Sequence, residues 1–265
     1  MLHNNLRDSR NFGLMLLTII ILAVSSCTSR TSDPIAAPAE SVPVAELVAR
    51  ADKLYAQRAD LLNVREALAM LRRGRTAEFQ NYDVAWRLAR ANYFLAAHTK
   101  DERERDNAFH DGVEAGEAAI KLQGGKPEGH FWLGANMGGR AQTSSLSGLA
   151  DAEDIRREME TVLKIDEKYE FGSAYMVLGQ VDLELPRLMG GDPAAAVKNL
   201  EKGLQFGQDN ALLRLRLAEA YLATGHKEDA RKQLDTLISM KPHPDFVPEH
   251  NEAIVEAKKL LETKF

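Results

Sequence analysis

Apolar residues in this 265-residue chain fall into three patterns. Between Leu14 and Val24 they are continuous, LMLLTIIILAV, a run of 11 residues. A spanning helix needs about 20 apolar residues, so the run is too short to cross a membrane and has the form of a signal-peptide core. Residues 28–43, TSRTSDPIAAPAESVP, show no apolar period. With Pro34, Pro38 and Pro43 among small polar residues, they predict a semi-extended tether that buries no core. From residue 44 onward the spacing is helical. Leu47 and Ala51, with Ala67 and Leu71, predict a first helical hairpin. Ala253, Ile254, Ala257, Leu260 and Leu261 form the stripe of a final amphipathic helix, read as a cap.

A longer period lies over the helical one. Residues 211–244, ALLRLRLAEAYLATGHKEDARKQLDTLISMKPHP, place Leu217-Ala218, Tyr221, Ala230, Leu234 and Pro242 in the order and spacing of the 34-residue tetratricopeptide repeat, which the segment resembles. Small residues at 218 and 230 let two antiparallel helices approach, and Gly225 suits the end of the first. One such unit cannot bury its own face. Looser copies precede it: Leu178-Gly179 with Ala196, Leu200 and Gly203; Leu133-Gly134 with Ile155, Met159 and Val162; and Leu88-Ala89 with Ala119 to Leu122. These copies are longer than the regular unit, and the expectation is that the extra length forms loops between the two helices of each hairpin. Two such insertions are RAQTSSLSG (140–148) and the loop around LPRLMGGD (185–192). The predicted fold is all-α: over residues 44–265, a right-handed solenoid of about five tetratricopeptide-like hairpins with a C-terminal capping helix. Ala, Leu, Glu, Lys and Arg dominate while aromatics make up 6%, which favours helix over sheet.

In tetratricopeptide superhelices the first helix of each hairpin lines the concave side. Counting from each Leu-Gly or Leu-Ala pair gives two concave columns, Trp86, Phe131, Met176 and Leu215, then Tyr93, Gly138, Leu183 and Leu222. Neither column holds a charge. An apolar surface of that extent is costly in water, at about 25 cal/mol per Å². Two coverings are open: protein from a tightly wound superhelix or the last helix, or an apolar ligand in a cavity to which Gly138 and Gly139 give room.

The apolar run at the N-terminus ends in Val24-Ser25-Ser26-Cys27, and Cys27 is the only cysteine. This resembles a bacterial lipobox, which implies removal of residues 1–26, lipidation of Cys27, a tether over residues 27–43, and anchoring to a membrane of the cell envelope with the domain facing the periplasm. Thr28 in the sorting position implies the outer membrane. A net charge of −5 and a pI of about 5.9 give no electrostatic case for nucleic acid. No cofactor motif and no catalytic constellation stands out: Gly124-Gly125-Lys126-Pro127 is no phosphate loop, and the seven histidines form no metal-site spacing. His243, Asp245, Glu249 and His250 read as loop and cap residues rather than a metal site. The expectation is a non-enzyme. In LPRLMGGDP, Pro186, Gly190, Asp192 and Pro193 read as helix stop, turn, N-cap and N1. Arg187 has no such role and is the candidate polar contact to a ligand headgroup or partner.

Three stretches, AWRLARANYF (85–94), GHFWLGANMGG (129–139) and LPRLMGGDPAAAVKNLEKGL (185–204), resemble the T-component family of TRAP transporters. They are also similar to the helical domain of the regulator of microtubule dynamics family. The first resemblance implies a lipid-anchored accessory to transport, working beside a periplasmic solute-binding protein or another envelope protein. Both imply a hydrophobic small molecule or lipid in the concave cavity. The alternative is a protein-interaction scaffold of the envelope with no small-molecule ligand.

Overall fold

The computed structural model describes residues 42–143 and 151–265. Cys27, the signal segment and most of the tether lie outside the described residues, as do residues 144–150 of the first insertion. Val42–Phe265 forms one compact unit with a core of its own, the criterion for a segment that folds independently. Among the described residues there are eleven α-helices and no strand.

The helices pair in chain order: α1 (Val44–Tyr55) with α2 (Leu61–Ala77), α3 (Tyr82–His98) with α4 (Glu102–Gln123), and α5 (Pro127–Thr143) with α6 (Ala152–Ile165). The series continues with α7 (Ser173–Glu184) and α8 (Pro193–Leu204), then α9 (Ala211–Ala223) and α10 (Lys227–Ser239), and closes with α11 (Val247–Lys264). This is the expected tetratricopeptide-like solenoid with its terminal helix. Local chemistry fixes the helix starts. The side chains of Asp60, Asn81, Asp101, Asp192 and Asn210 each accept a bond from a backbone N–H in the first turn that would otherwise be unpaired.

Within the hairpins, the small residues do what the repeat requires. A Cβ on Gly134 would stand 2.5 Å from Met159 Cε, and one on Gly179 would stand 2.6 Å from Leu200 Cγ. Met159 and Leu200 are completely buried. The expected inserted loops are only partly loops. In the second hairpin the extra length lies in the helices themselves, joined by Thr99–Asp101 alone. In the third, α5 continues through residues 140–143. In the fourth it forms a turn, where Gly190 has φ +90° and Arg156 holds the turn through Asp182 (2.7 Å) and the Gly190 carbonyl (3.1 Å).

The two ends of the solenoid meet. Arg58, buried in the α1–α2 connection, makes a bidentate pair with Glu249 on α11, at 2.9 and 2.8 Å, and stands over the rings of Tyr55 and Phe94. His98 at the end of α3 reaches Glu252 of α11 at 3.1 Å. These contacts tie the last helix to the first two hairpins and border a space between them.

Candidate ligand cavity

A cavity of about 260 Å³ lies on the concave side. One wall is apolar: Tyr93 from α3; Phe131, Trp132, Ala135 and Gly138 from α5; Ile155 from α6; Met176, Val177 and Val181 from α7. The rest of the lining is largely polar and includes Glu170, Asp209, Asn210, Arg216, Glu249 and His250, with His243 and Phe246. The aromatic side chains brace one another. Phe131 stands edge-on to Trp132 at 4.9 Å and to Tyr169 at 5.4 Å, while Trp132 lies 5.7 Å from Tyr93.

The glycine pair of GHFWLGANMGG divides its work. A Cβ on Gly139 would collide with the Phe109 ring at 2.2 Å, so the space beside this glycine is taken by α4, although its backbone also borders the cavity. A Cβ on Gly138 would meet only Ile155 Cδ1, at 3.9 Å, and Gly138 opens onto the cavity.

The connection between α6 and α7 places Glu170. Glu170 and Phe171 have φ of +47° and +55°, and Gly172 follows at +77°. Two successive non-glycine residues in this region cost about 1–3 kcal/mol each and persist only where the surroundings enforce them. They do so here. Ser173 Oγ donates to the Glu170 carbonyl at 2.6 Å, and Asn210 Nδ2 donates to the Phe171 carbonyl at 3.4 Å. Gly207 lies so close that a Cβ there would stand 2.1 Å from the Phe171 oxygen. Phe171 packs against His243 and Phe246. The result is a half-buried carboxylate delivered to the cavity wall, and burial pushes its pKa up against the opposing pull of Arg90 and Arg58. Burial pushes the pKa of His250 down, favouring the neutral imidazole, and its Nδ1 has no partner among the described residues.

Most other charges on the wall are already engaged. Glu249 is held by Arg58, Arg216 by Glu219 at 2.8 Å, and Glu184 accepts from both Gln142 (2.9 Å) and Gln180 (2.8 Å). Among the described residues the one close grouping of three possible metal ligands is His110, Asp111 and Glu114 on the outer side of α4, where Asp111 pairs with Arg72 at 3.0 Å.

The sequence profile of the regulator of microtubule dynamics protein 1-3 family matches residues 47–184, just over half of the chain. The chain belongs to that family. A tetratricopeptide repeat profile matches residues 187–246. No curated protein matches. Among solved structures, a thermophilic tetratricopeptide protein from Thermus thermophilus is similar with a TM-score of 0.63 at 18% identity, over 82% of this chain and 98% of that one. PilF of Pseudomonas aeruginosa is similar with a TM-score of 0.53 at 15% identity, over 84% and 93% respectively. At these identities the likeness concerns the fold.

The family's match contains most of the predicted concave residues, and the structure separates the eight. Tyr93, Phe131, Gly138 and Met176 line the cavity. Trp86 does not; its ring lies under the guanidinium groups of Arg87 and Arg90, at 4.2 and 4.9 Å. Leu183 packs in the cluster of α7, α8 and α9, and Leu215 and Leu222 pack in the cluster of α9, α10 and α11. The columns leave the cavity at one end because α11 packs on Leu215 and Leu222, and at the other because arginines of α3 cover Trp86. Arg187 is exposed on the α7–α8 turn, away from the cavity wall. Glu170, Arg58 and Glu249 were not among the predicted site residues. KYEFG carries one weak signal, a glycine before a helix, and nothing local marks a left-handed turn at the two residues before it.

Proposed function

We propose that this protein is a lipid-anchored member of the family that holds an amphipathic small molecule or lipid in its concave cavity and exchanges it with a partner protein. Its chemistry is binding, not catalysis. The observation that carries the reading is the cavity itself. Its apolar wall is built of braced aromatic and aliphatic side chains, and Gly138 leaves it open where any larger residue would fill it. The lipobox-like Val24-Ser25-Ser26-Cys27 supports anchoring in a bacterial envelope, with the domain facing the periplasm. The likeness to TRAP-transporter T-components supports a periplasmic solute-binding protein as the partner and a role accessory to transport. A second reading, an interaction scaffold without a small-molecule ligand, is favoured by the tetratricopeptide match at residues 187–246 and by the exposed Leu188 and Met189 on the α7–α8 turn.

The two readings part in a titration of Val42–Phe265 with the neutral apolar dye N-phenyl-1-naphthylamine. Binding should saturate near one dye per chain and weaken at least about tenfold in Gly138→Leu, with helix content and Tm unchanged. Dye uptake that never saturates, or that ignores the substitution, would leave the scaffold.

A further inference from the structure

The cavity is bipolar in a specific way. Its apolar wall is rich in aromatic side chains, and the described residues that line it include four carboxylates, Glu170, Glu184, Asp209 and Glu249, against a single guanidinium, Arg216. Arg216 is engaged by Glu219, so among the described residues the lining offers no free guanidinium to a ligand carboxylate. Glu249 is neutralised by Arg58, and Glu184 is tied to two glutamines. Glu170 differs from both. Its half-buried side chain makes no hydrogen bond and no ion pair with another described residue, and is balanced only by the more distant guanidinium groups of Arg90 and Arg58. It is held there by a backbone conformation that a glutamate adopts only under constraint. Half-burying a carboxylate with no direct partner costs free energy, and a ligand cation would recover part of it. Aromatic faces beside a carboxylate form the common recognition pattern for ammonium groups.

We propose that the ligand is an amphipathic cation, an amine on an apolar body, whose ammonium group pairs with Glu170 while its apolar part lies against Phe131, Trp132 and Met176. This rests on the cavity reading above and narrows it by excluding fatty-acid-like anions as preferred occupants.

The test compares dodecylamine, dodecanol and dodecanoic acid, each below its micelle concentration at neutral pH, by calorimetric titration of Val42–Phe265. The expected order of affinity is amine, then alcohol, then carboxylate. Glu170→Gln should weaken the amine at least about tenfold, the scale of one charge-assisted hydrogen bond, and leave the alcohol unchanged. Glu170→Asn, a residue tolerant of the left-handed conformation, serves as a second variant in case Glu170→Gln folds poorly. Equal or tighter binding of dodecanoate, or an amine affinity indifferent to both variants, would overturn the proposal while leaving the cavity reading intact. Binding of none of the three by the unaltered protein would overturn both.

Discussion

At the scale of single residues, two adjacent glycines on α5 have opposite roles. Gly139 sits against the buried Phe109 ring, whereas Gly138 faces space. Alanine at 139 should therefore cost about 1–3 kcal/mol through overpacking. Alanine at 138 should be neutral or stabilise by up to about 1 kcal/mol, because it removes a glycine from a helix interior. Denaturant titration of the two variants side by side checks this, and similar losses in both would contradict it. The sequence showed the pair to be unusual but assigned both glycines to one purpose. What separates them is a ring on α4, about thirty positions earlier, which no local pattern discloses. Gly134 and Gly179 were legible for the converse reason: the repeat itself demands a small residue where Met159 and Leu200 cross.

At the scale of elements, α11 does more than cap the last repeat. It carries Glu249 and Glu252 to the first two hairpins, with partners 191 and 154 residues away in sequence. His98 is the titrating member of this closure. Burial lowers its pKa, but the hydrogen bond to Glu252, the Phe94 carbonyl and nearby carboxylates outweigh burial, so the net shift is upward. A raised histidine pKa means that its stabilising contribution is fully present below the unfolded value, near pH 6.5, and is lost as pH rises through the folded value. Tm should therefore fall over that interval, and His98→Gln should flatten the fall. An unchanged pH profile in the variant would show that the contact does not hold α11. The amphipathic stripe of α11 was readable from residues 253–261, but its partners were not, since ion pairs between chain ends leave no periodic trace. The left-handed turn at Glu170 was hidden for a related reason: its strain is imposed by Asn210, Ser173 and Gly207 through tertiary packing.

At the scale of the whole molecule, the solenoid followed from one regular repeat and its looser copies, because each copy must bury the face its neighbour exposes. The concave side was half legible. Four of the eight column residues line the cavity, and the other four are taken up by core packing and by stacked arginines. The polar wall comes from the connection before α7, the α8–α9 connection, α9 and the start of α11, which the columns did not sample. The central claim is that this space is occupied by a molecule other than protein. Mass spectrometry of organic extracts from purified Val42–Phe265, beside Gly138→Leu treated identically, tests it most directly. The account predicts one amphipathic molecule at near-stoichiometric amount in the first and none in the folded variant. Empty extracts from both, or the same molecule in both, would contradict it.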